Sequence, residues 1–404
     1  MLKSTAFLMG GLILPAILFA GPSDKPGKSG KPDIVVMSQN QYLGADLTPI
    51  VAAGSPEEYN MAVLEALFQV AANNTPERVQ ALADTILERK PHLVGLQEMF
   101  QFTCSETGTM PGACTLFSAA MNDHLQLTLD VLGSDYYVAG IVNNLMIPDA
   151  EFGLPGLPIF LDDDAIPEVF IQVLDRDVIL ARSDVSASVV PFPCEVFGLY
   201  TSEDGCNFSE IARADALGET INIQRGFVGV DATVNGQDYR FVNTHLEVQY
   251  PAPLQDAPLI QAVQATELIV VQWLFPPPAG TKLMIVGDIN SNPLHPVFLT
   301  SGGWMAYPPY KQLEGGVSIV GGPISAPYTD IWPLRPGKPR GLTCCEAADL
   351  SNDASILYER IDVIFTLQPP IRVKANVLNN NPLDKTPSGL WPSDHATLLG
   401  RLFY

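Results

Sequence analysis

Six short motifs join an apolar run to residues that can hold a metal ion, move a proton or orient water. Ser38-Gln39-Asn40 follows DIVVM, Gln97-Glu98 follows LVGL, and Asn243-Thr244-His245 follows YRFV. Gly287-Asp288-Ile289-Asn290 follows LMIV, Arg360-Ile361-Asp362 precedes VIF, and Ser393-Asp394-His395 precedes ATLLG. An apolar run buries itself, so a polar residue at its end emerges at the edge of a sheet, where active sites collect. One Asp or Asn at such a place is usually a turn former, and one His is more often structural. The whole set in one chain is much harder to assign to turns. Carboxylates and amides suit hard cations such as Mg²⁺. Histidines beside them can move protons or stabilise a developing anion. Metal, oriented water and His together amount to phosphate-ester hydrolysis. Asp288 and Asn290, one residue apart, project to one side of an extended segment. No Gly-x-Ser-x-Gly elbow and no GxxxxGK[ST] loop offers a competing chemistry.

The elements that must position these residues are short and β-rich. Strands are predicted over 33–38, 93–98, 136–142, 177–182, 225–234, 239–246, 283–288, 361–366 and 396–403. The last residues of 225–234 and the first of 239–246 flank Asn235-Gly236, a hairpin signal. Helical patterns cover 57–72, 76–89, 115–131 and 259–274, with Thr75-Pro76-Glu77 reading as a cap, a first-turn Pro and an acid. Many strands with interspersed helices imply two packed sheets covered by helices. Residues 101–224 read as partly inserted loops over one end of the core, with the acidic run Asp162-Asp163-Asp164 among them. Asp46 reads as a helix cap, and His92, His124 and His295 as structural or solvated.

The chain has 404 residues, is 47% hydrophobic, and carries 22 basic against 44 acidic side chains, a net charge of −22. That balance argues against a large nucleic-acid footprint, which needs clustered Lys and Arg. Lys3 followed by the apolar residues 5–20 reads as a signal peptide ending at Ala20, and 21–32 as a flexible tether. Leu18 departs from the A-x-A pattern, so an N-terminal membrane anchor is the alternative to a secreted or periplasmic chain. Against the anchor, Pro15 interrupts a run already short for a ~20-residue span. Six cysteines fit an oxidising compartment, with Cys104 near Cys114 and Cys194 near Cys206 as local bridges. Adjacent Cys344 and Cys345 are left as a bridge or as thiols.

SQN at 38–40, LQE at 96–98, NTHLE at 243–247, GDIN at 287–290, RID at 360–362 and SDH at 393–395 together resemble the endonuclease/exonuclease/phosphatase superfamily. That family includes DNase I and the neutral sphingomyelinases. The resemblance spans nearly all of 33–404. It implies an α+β fold, a four-layer α/β/β/α sandwich of two mainly antiparallel sheets flanked by helices. It implies a metal-dependent phosphoric ester hydrolase in which Glu98 is the principal Mg²⁺ ligand, assisted by Asn40 and Asp394, with Mn²⁺ or Ca²⁺ as alternatives. Asp288 and Asn290 would orient the attacking water or the phosphate. Asp362 would fix His395, and His245 would act from the other side as general acid or charge stabiliser.

Substrate is less legible. Lys311, Arg335, Lys338 and Arg340 form the one local basic group, and Arg340 and Lys338 are its candidate phosphate or headgroup contacts. Trp304, Tyr307, Tyr310, Tyr328, Trp332 and Trp391 would meet a lipid surface or fill the core. Export and acidity favour a phospholipid or small diester as substrate over nucleic acid, and a monomer is expected. A DNase-like endonuclease, a catalytically silent binding protein on the same fold, and a thiol redox protein using Cys344-Cys345 are the competing readings.

Overall fold

Ile34 and Val36 face one way from the first strand, Val35 and Met37 the other, and all four are buried. A strand buried on both faces needs a covering layer on each side. The computed structural model describes residues 33–149, 153–162, 166–216, 219–249, 257–299, 303, 305–319, 322–324, 327–337 and 339–404. The expected signal peptide and tether, together with Trp304 and Lys338, lie outside the described residues. Among the described residues no helix is long and apolar enough to cross a membrane.

Eleven strands carry the frame: β1 Ile34–Asn40, β2 Leu93–Gln97, β3 Gln101–Glu106, β4 Tyr136–Ile147, β5 Val169–Arg182, β6 Gly226–Val234, β7 Gln237–His245, β8 Lys282–Asp288, β9 Asp362–Thr366, β10 Arg372–Leu378 and β11 Thr397–Phe403. The first sheet runs β10-β11-β1-β2-β5-β3, with β4 also paired to β5. The second contains β9-β8-β7-β6, extended by short strands. Each sheet is antiparallel except for one parallel pair, β1 with β2 and β7 with β8.

The sheets pack face to face through Val36, Leu93, Ile179, Val228, Phe241, Val286 and Leu398. The outer face of the first sheet is covered by the helices Thr75–Arg89 and His124–Leu132, through Ala83, Ile86, Leu125 and Leu132 against Val35, Met37 and Val178. The helix Ala257–Leu274 covers the second sheet through Ala265, Leu268 and Ile269. Helix, sheet, sheet, helix is the four-layer sandwich implied by the motifs. The sheets approach closely: a Cβ on Gly95 would lie 2.6 Å from Asn243 Oδ1 and 2.7 Å from Val286 Cγ2.

The Asn235-Gly236 turn forms as expected, both residues at positive φ, closing β6 and β7 between Val234 and Gln237. The start of the second long helix differs in detail. Thr75 is its first residue, and the residue before it, Asn74, is left-handed and gives no side-chain cap. The helix expected over 115–131 is two elements, a 3₁₀ turn Ala113–Phe117 and the helix His124–Leu132. Asp123 starts the second by accepting from the N–H groups of Leu125 and Gln126, a cap that an unbroken helix would not need. Residues 101–224, read as partly inserted loops, contribute β3, β4 and β5 to the first sheet, and β5 is its most widely shared strand. Cys104 is bonded to Cys114, Cys194 to Cys206 and Cys344 to Cys345.

Candidate active site

Register brings the second sheet's polar residues level. His245 on β7, Asp288 on β8 and Asp362 on β9 are directly opposed neighbours. In the first sheet Asn40 ends β1 opposite Gln97, the residue before Glu98. The two ends meet where Asn40 Nδ2 donates to Glu98 Oε1 at 2.9 Å and to Asp288 Oδ2 at 3.2 Å. Beneath them Asn243 fixes the sheets together. It accepts from Gln97 Nε2 and donates to the carbonyls of Leu96 and Val178.

Backbone strain aims several of these groups. Tyr42, Glu98 and Asn290 have φ of 59°, 57° and 48°, and left-handed non-glycine residues collect at functional sites. Gly287 has φ 137°, and a Cβ there would fall 1.8 Å from Thr244 O, so only glycine lets β8 reach Asp288 in this geometry.

Asp288 lies between two imidazoles. Its Oδ2 is 3.6 Å from His245 Nε2 and 3.7 Å from His395 Nε2, and its Oδ1 accepts from Asn290 N at 2.8 Å. Burial, then Asp362 and Glu98, push its carboxyl up to about 7 against the pull of His395. Asp394 is raised to about 7 by burial and Glu98. His395 Nδ1 is 2.8 Å from Asp362 Oδ2. Burial opposes its charge, but Asp362, Asp394 and Asp288 outweigh burial and hold the imidazolium well above the ordinary histidine range. Thr343 Oγ1 accepts from the N–H groups of Ile361 and Asp362, fixing that end of β9.

His245 is the opposite case. Its Nδ1 is 3.1 Å from Arg225 Nη1, and its Nε2 is 3.1 Å from Asn290 Nδ2. The Asn290 amide is oriented by its donation to Leu246 O. An imidazolium has no lone pair to accept from the Arg225 guanidinium at Nδ1, so His245 is neutral. The charged guanidinium is the stronger donor and takes Nδ1, which leaves the proton on Nε2, facing Asp288. Burial, Arg225 and His395 all hold His245 well below the usual range.

Of the residues expected from sequence, Asn40, Glu98, His245, Asp288, Asn290, Asp362, Asp394 and His395 come together. Arg340 does not. It is exposed and lines a separate depression with Trp332, Arg335 and Asn376. The expected basic group is split, because Lys311 lines another depression beside Tyr307 and Gln312. Of the aromatics singled out from the sequence, Tyr310, Tyr328, Trp332 and Trp391 are core residues and Tyr307 is exposed.

Solved structures similar to the chain include three with low sequence identity. An endonuclease/exonuclease/phosphatase family protein from Leptotrichia buccalis is 13% identical, covering 92% of this chain and 100% of that one, with a TM-score of 0.45. A mannosyl-6-phosphatase from Bacteroides thetaiotaomicron is 14% identical, covering 92% and 100%, with a TM-score of 0.45. Truncated Caenorhabditis elegans TDP2 is 14% identical, covering 92% and 97%, with a TM-score of 0.44. No family model matches the chain, and no curated protein is significantly similar to it.

The donor set fits a hard divalent cation. Four carboxylates, Glu98, Asp288, Asp362 and Asp394, act on one another, and among the described residues the buried Asp362 Oδ1 has no hydrogen-bond partner. Ligand atoms of Asp288, Asp362 and His395 lie within 4.8 Å of one another. His395 is charged and paired, so it is a poor ligand in that state. The sulfurs of Cys344 and Cys345, also near His395, are bonded to each other and unsuited to a hard ion. Glu98 and Asp394, close enough that the first raises the second, are the remaining carboxylates that could hold an ion. Asn40 has one lone pair of Oδ1 engaged by Tyr42 N–H, leaving the second for an ion.

Sequence reasoning missed two buried arginines. Arg225 lies at the start of β6, paired with Asp175 at 3.5 Å and Glu247 at 3.7 Å. Arg78, on the helix Thr75–Arg89, donates to the carbonyls of Gln41, Tyr42 and Pro392 and so clamps both loops that flank Glu98 and Asp394. Arg225 obeys the rule that picked out the other site residues, a polar residue at the end of an apolar run. Arg78 has no such signal.

Proposed function

We propose that the chain is an exported, divalent-metal-dependent phosphoesterase acting on a phosphodiester or phosphomonoester, with a phospholipid or small diester favoured. The observation that carries this reading is the Asp288 carboxyl set 3.7 Å from His395 Nε2 and 3.6 Å from His245 Nε2, with Asp362 on Nδ1 of the first ring and Arg225 on Nδ1 of the second. Glu98, Asn40 and Asp394 would hold the ion, and when bound it supplies Lewis-acid charge to a phosphoryl oxygen. Asp288 orients the attacking water and takes its proton, a role suited to a carboxyl raised to about 7. Asn290 holds Asp288 through its backbone N–H. His395, oriented by Asp362, offers its Nε2 proton to the charge that grows on the phosphoryl group. His245 donates a neutral hydrogen bond from Nε2. Preorganised donors of this kind are each worth on the order of 10²–10³ in rate.

Export is supported by the bonded pairs Cys104–Cys114 and Cys194–Cys206, and by the leader-like residues 5–20. The test is hydrolysis of an aryl phosphodiester, sphingomyelin and duplex DNA by residues 21–404, with Mg²⁺ or chelator, beside Glu98→Gln. Chelator-sensitive turnover lost in the variant is expected. Full activity in Glu98→Gln would remove the ligand assignment, and faster cleavage of DNA than of any diester would replace the substrate class.

A further inference from the structure

The helix Pro56–Ala72, the short helix Thr48–Ala52 and one end of the first sheet enclose a cavity of about 100 Å³. Every residue lining it is Ala, Val, Leu, Ile or Phe. Protein interiors are otherwise close-packed, and an unfilled void forfeits stabilising contacts. Apolar voids stay dry and accept apolar ligands, so water is a poor occupant here.

Three wall residues tie the cavity to the catalytic groups. Leu43 donates its backbone N–H to Glu98 Oε2 at 2.8 Å. Phe100 follows Glu98 by two residues, and Ile223 precedes Arg225 by two. Leu43, Val51, Ile221 and Ile223 are only half-buried and form the rim. The elements there are lightly held. The helix Thr48–Ala52 buries no residue, and the hairpin Ala212–Ala216 with Glu219–Ile223 is a two-stranded sheet of its own.

We propose that this cavity takes the hydrocarbon chain of an amphiphilic phosphoester whose phosphate lies among His245, Asp288 and His395. This rests on the phosphoesterase reading and narrows it: the preferred substrate is an alkyl- or acyl-bearing ester, and the chain selects it.

Two measurements test this separately. The first is calorimetric binding of 1-alkanols from butanol to decanol, with chelator present, so that neither metal nor turnover enters. Affinity should tighten about fourfold per methylene until the cavity is full, and lose that dependence in Ala66→Phe, which fills it. The second is kcat/KM for alkyl 4-nitrophenyl phosphates with Mg²⁺. It should rise with chain length in the wild type and stay flat in Ala66→Phe, while the methyl ester is turned over equally by both. If thermal unfolding shows Ala66→Phe to be misfolded, Val51→Glu on the lightly held helix replaces it. An alkanol series that is flat in the wild type, or equally steep in a folded variant, overturns the cavity assignment. A steep alkanol series with no ester turned over overturns the phosphoesterase reading, and the substrate assignment with it.

Discussion

His395 and His245 stand on opposite sides of one carboxylate at nearly equal distances, 3.7 and 3.6 Å from Asp288 Oδ2. The His395 side is built from acids: Asp362 on Nδ1, with Asp394 and Asp288 adding to the same field. The His245 side is built from a base: Arg225 on Nδ1, itself kept charged by Glu247 and Asp175 against its burial. Both rings are buried, so desolvation disfavours the charge on each. The partner at Nδ1 decides which ring overcomes it. Two identical side chains are thus pushed in opposite directions, His395 towards the cation and His245 towards the neutral form.

Removing the acid partner should have the largest effect. Asp362→Asn should lower kcat on the order of 10²–10⁴-fold with little change in KM, because the proton on His395 loses its anchor. An equal loss in binding would mean that Asp362 serves structure. Glu98→Gln comes next, with an expected loss on the order of 10²–10³-fold and a weaker dependence on Mg²⁺ in titrations. Arg225→Gln should cost about tenfold, roughly one missing hydrogen bond to a charged group. Its informative readout is spectroscopic. Without the guanidinium the His245 resonance should titrate closer to the ordinary value of about 6.5, and the acid limb of the rate profile should move to higher pH. An unchanged His245 would show that burial alone keeps it neutral.

His92 supplies a baseline away from the site and the smallest effect. Burial, then Arg182, lowers it to about 4, and its Nδ1 accepts from Val35 N. A depressed histidine contributes stability that is complete above the unfolded value of about 6.5 and is lost as pH falls towards the folded value of about 4. His92→Asn, which retains an acceptor, should flatten the decline in denaturation midpoint across that window. A decline of the same slope would assign it to other groups.

The site was more legible in the sequence than the frame around it, and the reason is chemical. Asn40, Asp288 and His395 break or border apolar runs, so they stand out against strands that are otherwise Val, Ile and Leu. Only the second half of β5 was legible, as the strand expected over 177–182, because its middle carries Asp175, Arg176 and Asp177, all buried, and a charged run interrupts the apolar signal. β10 hid because it is an edge strand with alternate residues exposed, entered through Pro369-Pro370. The helix read through 115–131 failed because its apolar pattern is continuous across a break that the Asp123 cap reveals only in three dimensions. Arg78 looked like any helical cation, since nothing local shows that its side chain is fully enclosed by three segments of backbone.

One strand pairing governs when the candidate site is assembled. β11 lies between β10 and β1, with Leu402 opposite Ile34 and Leu398 opposite Ser38. The chain must therefore close a contact across almost its whole described length before β11 and β10 join the first sheet. Contacts of such long sequence separation form slowly, and in synthesis from the N-terminus this one forms among the last. His395 sits at the entrance to β11, so the same event that completes the sheet brings His395 to Asp288 and Asp362. A nascent or prematurely terminated chain lacks both, so the proposed activity would report finished folding rather than partial structure.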